Sequence, residues 1–334
     1  MRLAARGNHR FVQSLALLAL AFAPVAGAAI HLSRSTIAGG GGGSSNAPAS
    51  VRLRSTVGQS AAGIDLKGGP FSMHVGFWPA PPPARLVNVS TRLQVETGEN
   101  VLIGGFIISG TQPKKVMLRA LGASLPVADK LLSPLLELHD STGKLIAQNN
   151  GWTTAANKQA VIDSKIPPTD ERESAVLETI PPGSYTVIVS GANSSTGTGS
   201  VEIYDLDTTV DSDLSNFSTR GLVKRADDVV IGGFILAGSA SRKVIVRALG
   251  PSLALEGKLA DPTLELFDQN GSSLASNDNW RSDHQAEITA TGIAPTSDLE
   301  SAIVSTLPAG AYTAVTHGAN TATGVAVVEV YVLP

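Results

Sequence analysis

The chain has 334 residues, 43% of them hydrophobic and 16% charged, with a formal net charge of −3. That length exceeds what one compact domain needs, so two or three units are expected. A charge so balanced excludes the concentrated basic face of a nucleic-acid binder. Thirty-four glycines and nineteen prolines beside so few charges describe many short strands joined by tight turns, not long surface helices. There is no cysteine, which excludes disulfides, thiolate metal sites, cysteine nucleophiles and a lipid-modified cysteine anchor. Each unit must therefore be held by its own core, for which about 120 residues are enough.

The first segment, 1–28, reads as a secretory signal. Arg2, Arg6 and Arg10 supply a positive start, residues 11–23 an apolar run, and Ala26-Gly27-Ala28 small residues for cleavage before Ala29. The rival reading is a membrane anchor, but the run is short for a span of about 20 residues and Pro24 interrupts it. No membrane span is expected after cleavage. Residues 29–78 begin with the flexible glycine run at 39–43 and contain two strand-like stretches, "VRLRSTVG" from Val51 and "FSMHVGFW" from Phe71. These could pair as a hairpin, although so short a segment encloses little core. A proline-rich linker, 79–85, follows.

The rest of the chain is duplicated, residues 86–206 matching 214–334 across a linker at 207–213. "NVSTR" answers "NFSTR", "VLIGGFIISG" answers "VVIGGFILAG", and "LRALGASL" answers "VRALGPSL". "LLELHD" answers "TLELFD", "PPGSYT" answers "PAGAYT", and "SVEIYDL" answers "VVEVYVL". Each copy carries about eight short runs rich in β-branched residues and bounded by Gly, Pro, Asn or Asp. The fold class is all-β, two tandem two-sheet sandwiches or jelly rolls. Only 157–165 and 284–291 carry a helical pattern. Residues 212–334, being domain-sized, are expected to fold alone.

Pairing between the copies sorts the candidate functional residues. Tyr185 pairs with Tyr312, Tyr204 with Tyr331, Trp152 with Trp280 and Phe106 with Phe234, which favours core roles over a ligand platform. Trp152 and Trp280 are expected to cover one end of the sandwich, each indole N–H on a backbone carbonyl. Phe71, Phe77 and Trp78 are the main aromatics left to stack on sugar rings. The histidines do not pair: His139 aligns with Phe267 and His317 with Ser190, while His9, His31, His74 and His284 stand alone. They form no cluster of the kind a zinc site or general base requires.

Ser124 and Ser252 faintly resemble a nucleophile elbow but lack its second glycine and a paired histidine, so a turn role is favoured. Gly104-Gly105 and Gly232-Gly233 carry no phosphate-loop pattern and mark a bulge or a close backbone approach. Arg119 and Arg247, with Glu137, Glu265, Glu202 and Glu329, are read as cross-strand charge pairs on an exposed face in preference to an acid/base pair. Asn277, Asp278, Asn279 and Asp283 form an oxygen-rich cluster for which turn chemistry is favoured over calcium, since the first copy offers no carboxylate there. No catalytic, cofactor-binding or metal residue is assigned.

The residues "NVSTR", "IGGFIISG", "LRALG", "LLELHD", "NNGW", "PPGSYT" and "GSVEIYD" make the module similar to a repeat of large exported proteins of environmental bacteria. "LLELHDSTGKLIAQNN" with "LPAGAYT" more distantly resembles the bacterial pre-peptidase C-terminal (PPC) domain, a β-sandwich appended to secreted peptidases and other enzymes. That resemblance implies substrate or matrix binding, or a part in secretion. "STVGQSAAG" with "FSMHVGFWP" is similar to a short "GTIGQ…GGFW" module of exported proteins, although "MHVGFW" departs from its double glycine. The expectation is an exported, non-catalytic structural or adhesive protein at the cell surface or beyond it. A glycan- or matrix-binding accessory module is the first alternative and a secreted hydrolase the second. Its partner would be an extracellular glycan, matrix or another surface protein.

Overall fold

The computed structural model describes residues 64–68, 71–75, 82–98, 100–224 and 229–333, the first two stretches by their backbone alone. These two are an antiparallel hairpin, β1 (Ile64–Gly68) and β2 (Phe71–Val75), in register from Ile64 opposite Val75 to Gly68 opposite Phe71. A strand does begin at Phe71, and its partner among the described residues is the adjacent run Ile64–Gly68. Closing a short loop costs less entropy than closing a long one. The signal expected over 1–28, the glycine run and the Val51 stretch lie outside the described residues.

In the first copy the strands are β3 (Arg85–Val95), β4 (Leu102–Gly110), β5 (Lys114–Leu121), β6 (Pro134–Asp140), β7 (Leu145–Asn149), β8 (Ser174–Ile180), β9 (Gly183–Gly191) and β10 (Gly197–Asp205). In the second they are β11 (Ser212–Val223), β12 (Val230–Ala237), β13 (Arg242–Leu249), β14 (Pro262–Asp268), β15 (Ser273–Asn277), β16 (Ser301–Leu307), β17 (Gly310–Gly318) and β18 (Gly324–Val332). The short helices α1 (Lys158–Asp163) and α2 (Gln285–Ala290) sit where the helical pattern lay. Within the first copy the antiparallel ladders run β8-β5-β10-β3 in one sheet and β7-β6-β9-β4 in the other, and the second copy repeats both orders. Counted within a copy, these are strand orders 6-3-8-1 and 5-4-7-2, the jelly-roll arrangement.

The copies are not separate sandwiches. β3 pairs along its free edge with β12, from Arg92 opposite Ile231 to Arg85 opposite Ala237. β4 pairs with β11, from Ile103 opposite Arg220 to Gly110 opposite Ser212. Each four-stranded sheet thus continues into the complementary sheet of the other copy. The result is one double layer of two eight-stranded sheets, linked at one point by Leu214 beside Leu86. Alternation makes this legible locally: in β4 the inward Leu102, Gly104, Phe106 and Ile108 are buried, while Ile103, Gly105 and Ile107 are half-covered on the outside.

One apolar core crosses the seam without a break and joins Phe106, Phe217 and Phe234, each 1% exposed, to Val89, Val187 and Val328. The expected double-glycine approach is a seam contact. A methyl on Gly104 would come within 2.9 Å of Val187 in its own copy and 3.4 Å of Phe217 across the seam, and one on Gly105 within 2.6 Å of the Ser218 hydroxyl; one on Gly233 would meet the Ser90 hydroxyl at 2.5 Å. The shared "N-x-S-T-R" motif belongs to the same seam. Asn88 Nδ2 donates to the Ile203 carbonyl (3.2 Å), Asn216 Nδ2 to the Val330 carbonyl (3.1 Å), and the Thr91 hydroxyl to the Ile231 carbonyl (2.8 Å).

Neither expected linker is wholly free. In 79–85, Ala84 is fully buried and Pro83 bridges Ala240 of the second copy. In 207–213, the Asp207 carbonyl accepts from Lys114 Nζ (2.7 Å), the Thr208 carbonyl accepts from Arg85, and β11 has already begun at Ser212. The ion pair of Lys114 with Asp205 (2.9 Å, both side chains fully buried) anchors this crossing. Such a pair loses several kcal/mol when one partner is removed. The expectation that residues 212–334 fold alone therefore changes, because β11 and β12 would lose a whole row of backbone partners and half-expose the seam phenylalanines. Residues 208–334 alone should not give a folded monomer. They should associate or melt without cooperativity, whereas the full duplicated region should melt in one transition, as calorimetry with sedimentation would show.

Candidate functional site

Three groups of polar and aromatic residues recur in both copies, and the structure gives each a place. The first lies on the outer surface of the sheets. Arg119 on β5 stands opposite Glu202 on β10 and donates to it through Nε (2.9 Å) and Nη2. Its Nη2 also reaches the Tyr204 hydroxyl (2.9 Å) and its Nη1 the Ile166 carbonyl (2.8 Å). Arg247, Glu329, Tyr331 and the Ile293 carbonyl repeat this in the second copy. The expected cross-strand charge pairs are these two. They are not exposed, since the Arg119 and Glu202 side chains are 7% and 12% accessible. The loops that end α1 and α2 close over them. Burial pulls the Arg119 guanidinium down in pKa, but Glu202 and Tyr204 outweigh that and hold it above its ordinary value. Glu137 instead faces His139 (3.6 Å), and Glu265 makes no ion pair among the described residues.

The tryptophans belong to this outer layer too, which corrects the expected capping of one end of the sandwich. Trp280 is 3% exposed in a small cluster with Ile245, Ile288 and Ala302, on the face of the sheet away from the main core. Trp152 does the same with Met117, Val161 and Ala175. The indole N–H groups find carbonyls as expected, Trp280 on Ser297 and Trp152 on Asp170, both at 3.1 Å. Arg281 lies over the Trp280 ring at 4.2 Å. The first copy has Thr153 there, and Trp152 remains half-buried.

The second group is a pair of fully buried carboxyl groups that the sequence reading did not single out. Glu173 Oε1 accepts from the Gly122 N–H (2.9 Å), the Ser124 N–H (2.9 Å) and the Ser124 hydroxyl (2.6 Å). Glu300 holds Gly250 and Ser252 in the same way. The serines of the "LGAS" and "LGPS" turns are therefore donors tied to a carboxyl group, with no histidine beside them. Gly122 and Gly250 are required there, since a Cβ would meet the Leu131 or Leu259 carbonyl oxygen at 1.9 or 2.2 Å. The signal was present: a Glu-Ser-Ala triplet opens the β8 and β16 strands in both copies.

The third group is in the core. Phe106 stacks on Tyr185 and Phe234 on Tyr312, with ring centroids 5.3 Å apart in each pair. The tyrosine hydroxyls donate to the Pro181 (2.6 Å) and Pro308 (2.8 Å) carbonyls and so fix the turns that open β9 and β17.

The Asn277 cluster is structural in its amide. Asn277 Oδ1 accepts from the Ala302 N–H (3.0 Å) and Nδ2 donates to the Asn279 carbonyl (3.2 Å), while Asn149 repeats the first bond on Ala175. Among the described residues no group of His, Asp or Glu side chains is placed to hold a metal ion. His139 and His284 each lie beside acids of their own copy, Glu137 for the one and Asp283 and Glu287 for the other.

A cavity of about 510 Å³ opens at one end of the seam. Leu93, Gln94 and Glu96 of β3 and the residue after it face Gly221, Leu222 and Lys224, their counterparts in the other copy, so it lies on the internal two-fold relation of the repeats. Glu96 and Lys224 are paired across it at 3.0 Å, and Arg220 and Glu256 complete a wall of mixed charge. The cavity brings no nucleophile together with a base among the described residues.

Neither a family model nor a curated protein matches this chain. Solved structures similar to it include Sulfolobus turreted icosahedral virus (12% identity, TM-score 0.21, covering 75% of this chain and 91% of that one). Others are the major capsid protein P2 of bacteriophage PM2 (9%, 0.20, 73% and 98%) and a DUF4785 family protein of Legionella pneumophila (9%, 0.22, 74% and 61%). The described residues are mainly strand, paired in antiparallel ladders, an all-β double sandwich.

Two outcomes follow from this layer. Trp280→Ala should destabilise the protein by about 3–5 kcal/mol, and Trp152→Ala by less, because Trp152 is already partly in water; thermal melts of both variants check this. All four tyrosines have hydroxyl pKa values raised by burial first, with Asp140, Glu202, Asp268 or Glu329 adding to it. A raised acid is neutral in the fold, so this stability is complete below the unfolded value of about 10 and is lost above it. Phenolate absorbance in the native protein should therefore rise only above pH 10, and unfolding should accompany it.

Proposed function

We propose that the chain is an exported, non-catalytic structural or adhesive protein whose fused double sandwich is a rigid spacer and contact surface. The observation that carries this reading is that the arginines, turn serines and tryptophans shared by the two copies are engaged inside the fold. Arg119 and Arg247 are held by glutamates, Ser124 and Ser252 by buried carboxyl groups, and the tryptophan N–H groups by carbonyls. A duplicated catalytic or ligand site would leave such residues aimed at solvent. The resemblance of "LLELHDSTGK" and "LPAGAYT" to the PPC domain, and the signal-like 1–28 segment, support the same reading, with an extracellular glycan, matrix or surface protein as partner.

The test is cell fractionation with N-terminal sequencing. The protein should be found outside the cytoplasm and begin near Ala29. Protein retained in the cytoplasm with residues 1–28 attached overturns export. A glycan array then separates an adhesive spacer from a glycan-binding accessory module.

A further inference from the structure

The double sandwich ends in four sheet edges, and they are finished differently. At the first copy's end, β8 is shielded: α1 packs against it, and the outward Leu177 carbonyl accepts from Asn157 Nδ2 at 3.2 Å. At the other end α2 lies over β16, with Ile288 against Ala302. β7 pairs only with β6 and β15 only with β14 among the described residues.

These two edges are "LIAQN" and "SLASN", each five residues long and without a charge or a proline; only their last residues are tied down, the Asn149 carbonyl accepting from the Ser174 hydroxyl (2.8 Å) and Asn277 Oδ1 from the Ala302 N–H (3.0 Å), which leaves the first four of each open. Leu145 (42%), Ile146 (39%) and Leu274 (46%) make up three of the five exposed large apolar side chains of the described region. Ile146 and Leu274 occupy the same place in the two copies. Edges are ordinarily blunted by charge, proline or bulges. Here the strands are short and each is bulged, at Ile146 and at Leu274, which pushes those side chains outward, while Ala147–Asn149 and Ala275–Asn277 beyond the bulge are regular.

We infer that β7 of one molecule pairs antiparallel with β15 of a second copy of this chain, joining double sandwiches head to tail. The chain already uses this kind of joint, since its own two copies are united edge to edge by β3 with β12 and β4 with β11. Charge selects the mixed pairing. An antiparallel register that sets Leu145 opposite Asn277 also sets the exposed Lys144 opposite the exposed Asp278, with Ile146 diagonal to Leu274. Pairing β7 with another β7 would set Lys144 against the neutral Asn150, and β15 with another β15 would set Asp278 against Ser272. Because the two edges lie at opposite ends of the double sandwich, the contact is heterologous and need not close, so it builds linear arrays. The inference deepens the structural reading above and rests on it for biological purpose, but the contact is measured independently of export.

Sedimentation velocity of the purified full chain should show oligomers that grow with concentration. Ile146→Lys and Leu274→Lys should each lose them without lowering the melting temperature, both side chains being exposed. An equimolar mixture of the two should form dimers and nothing larger, because each variant keeps the edge the other lacks. Lys144→Glu should weaken assembly, and adding Asp278→Lys to the same chain should restore it. A wild type that stays monomeric at every concentration overturns the inference. So does either single lysine variant dimerising by itself, or a mixture that remains monomeric. Export with no assembly would leave the proposed function standing and remove this contact alone.

Discussion

The structure depends on backbone pairing across the seam between the repeats. A jelly roll by itself leaves strands 1 and 2 of its two sheets as bare edges, with rows of unpaired N–H and C=O groups. In this chain β3 and β4 are those edges in one copy and β11 and β12 in the other, and each satisfies its opposite number. Once the edges join, the cores cannot stay separate. Phe106, Phe217 and Phe234 fill one interior continuous from end to end, and the double glycines become the places where two backbones and a buried ring meet closely. Duplication thus does more than add a second module. It supplies the complementary edge that closes the first.

Around that joint, the chain stabilises each half by the same two devices. A small outer layer of one helix turn, one tryptophan and one Arg–Glu–Tyr cluster covers the far sheet of each copy, and a buried carboxyl group gathers the turn after the third strand. Both devices turn polar groups inward to partners, as a buried polar atom must have one. The asymmetries between the copies are informative for that reason. Lys114 and Asp205 have Arg242 and Val332 as counterparts, and only the first copy must hold the crossing to β11. Arg281 covers Trp280 but Thr153 leaves Trp152 half-open.

Sheet ends and sheet seam are governed by one rule with opposite outcomes. Inside the chain, edge pairing is made obligatory by proximity: two complementary edges tethered by a few residues have a high effective concentration. At the outer ends the same chemistry is left to solvent or to another molecule. Helices shield β8 and β16, while β7 and β15 carry short, uncharged, partly bulged strands with exposed Ile146 and Leu274. A protein that serves as a spacer gains reach from such ends, and one that must stay monomeric would be expected to place lysine or proline there.

The sequence by itself determined the fold class, the duplication and the positions of the two short helices. Strand alternation, turn residues and repeat matching are local properties, set by residues within a few positions of each other. It also singled out the paired aromatics, the glycine pairs and the arginines with Glu202 and Glu329, since residues kept in both copies are mostly those the fold needs. Only the tertiary structure decided what they touch. Nothing local distinguishes a strand edge that faces solvent from one that meets the other copy, so two separate sandwiches and one fused double sheet read alike along the chain. Nor does spacing reveal that Trp280 covers an outer sheet face in place of a core end, or that Glu173 and Glu300 reach back some fifty positions to hold Ser124 and Ser252. Those contacts depend on which strands become neighbours, and that is settled by long-range backbone pairing, which leaves no periodic mark in the sequence.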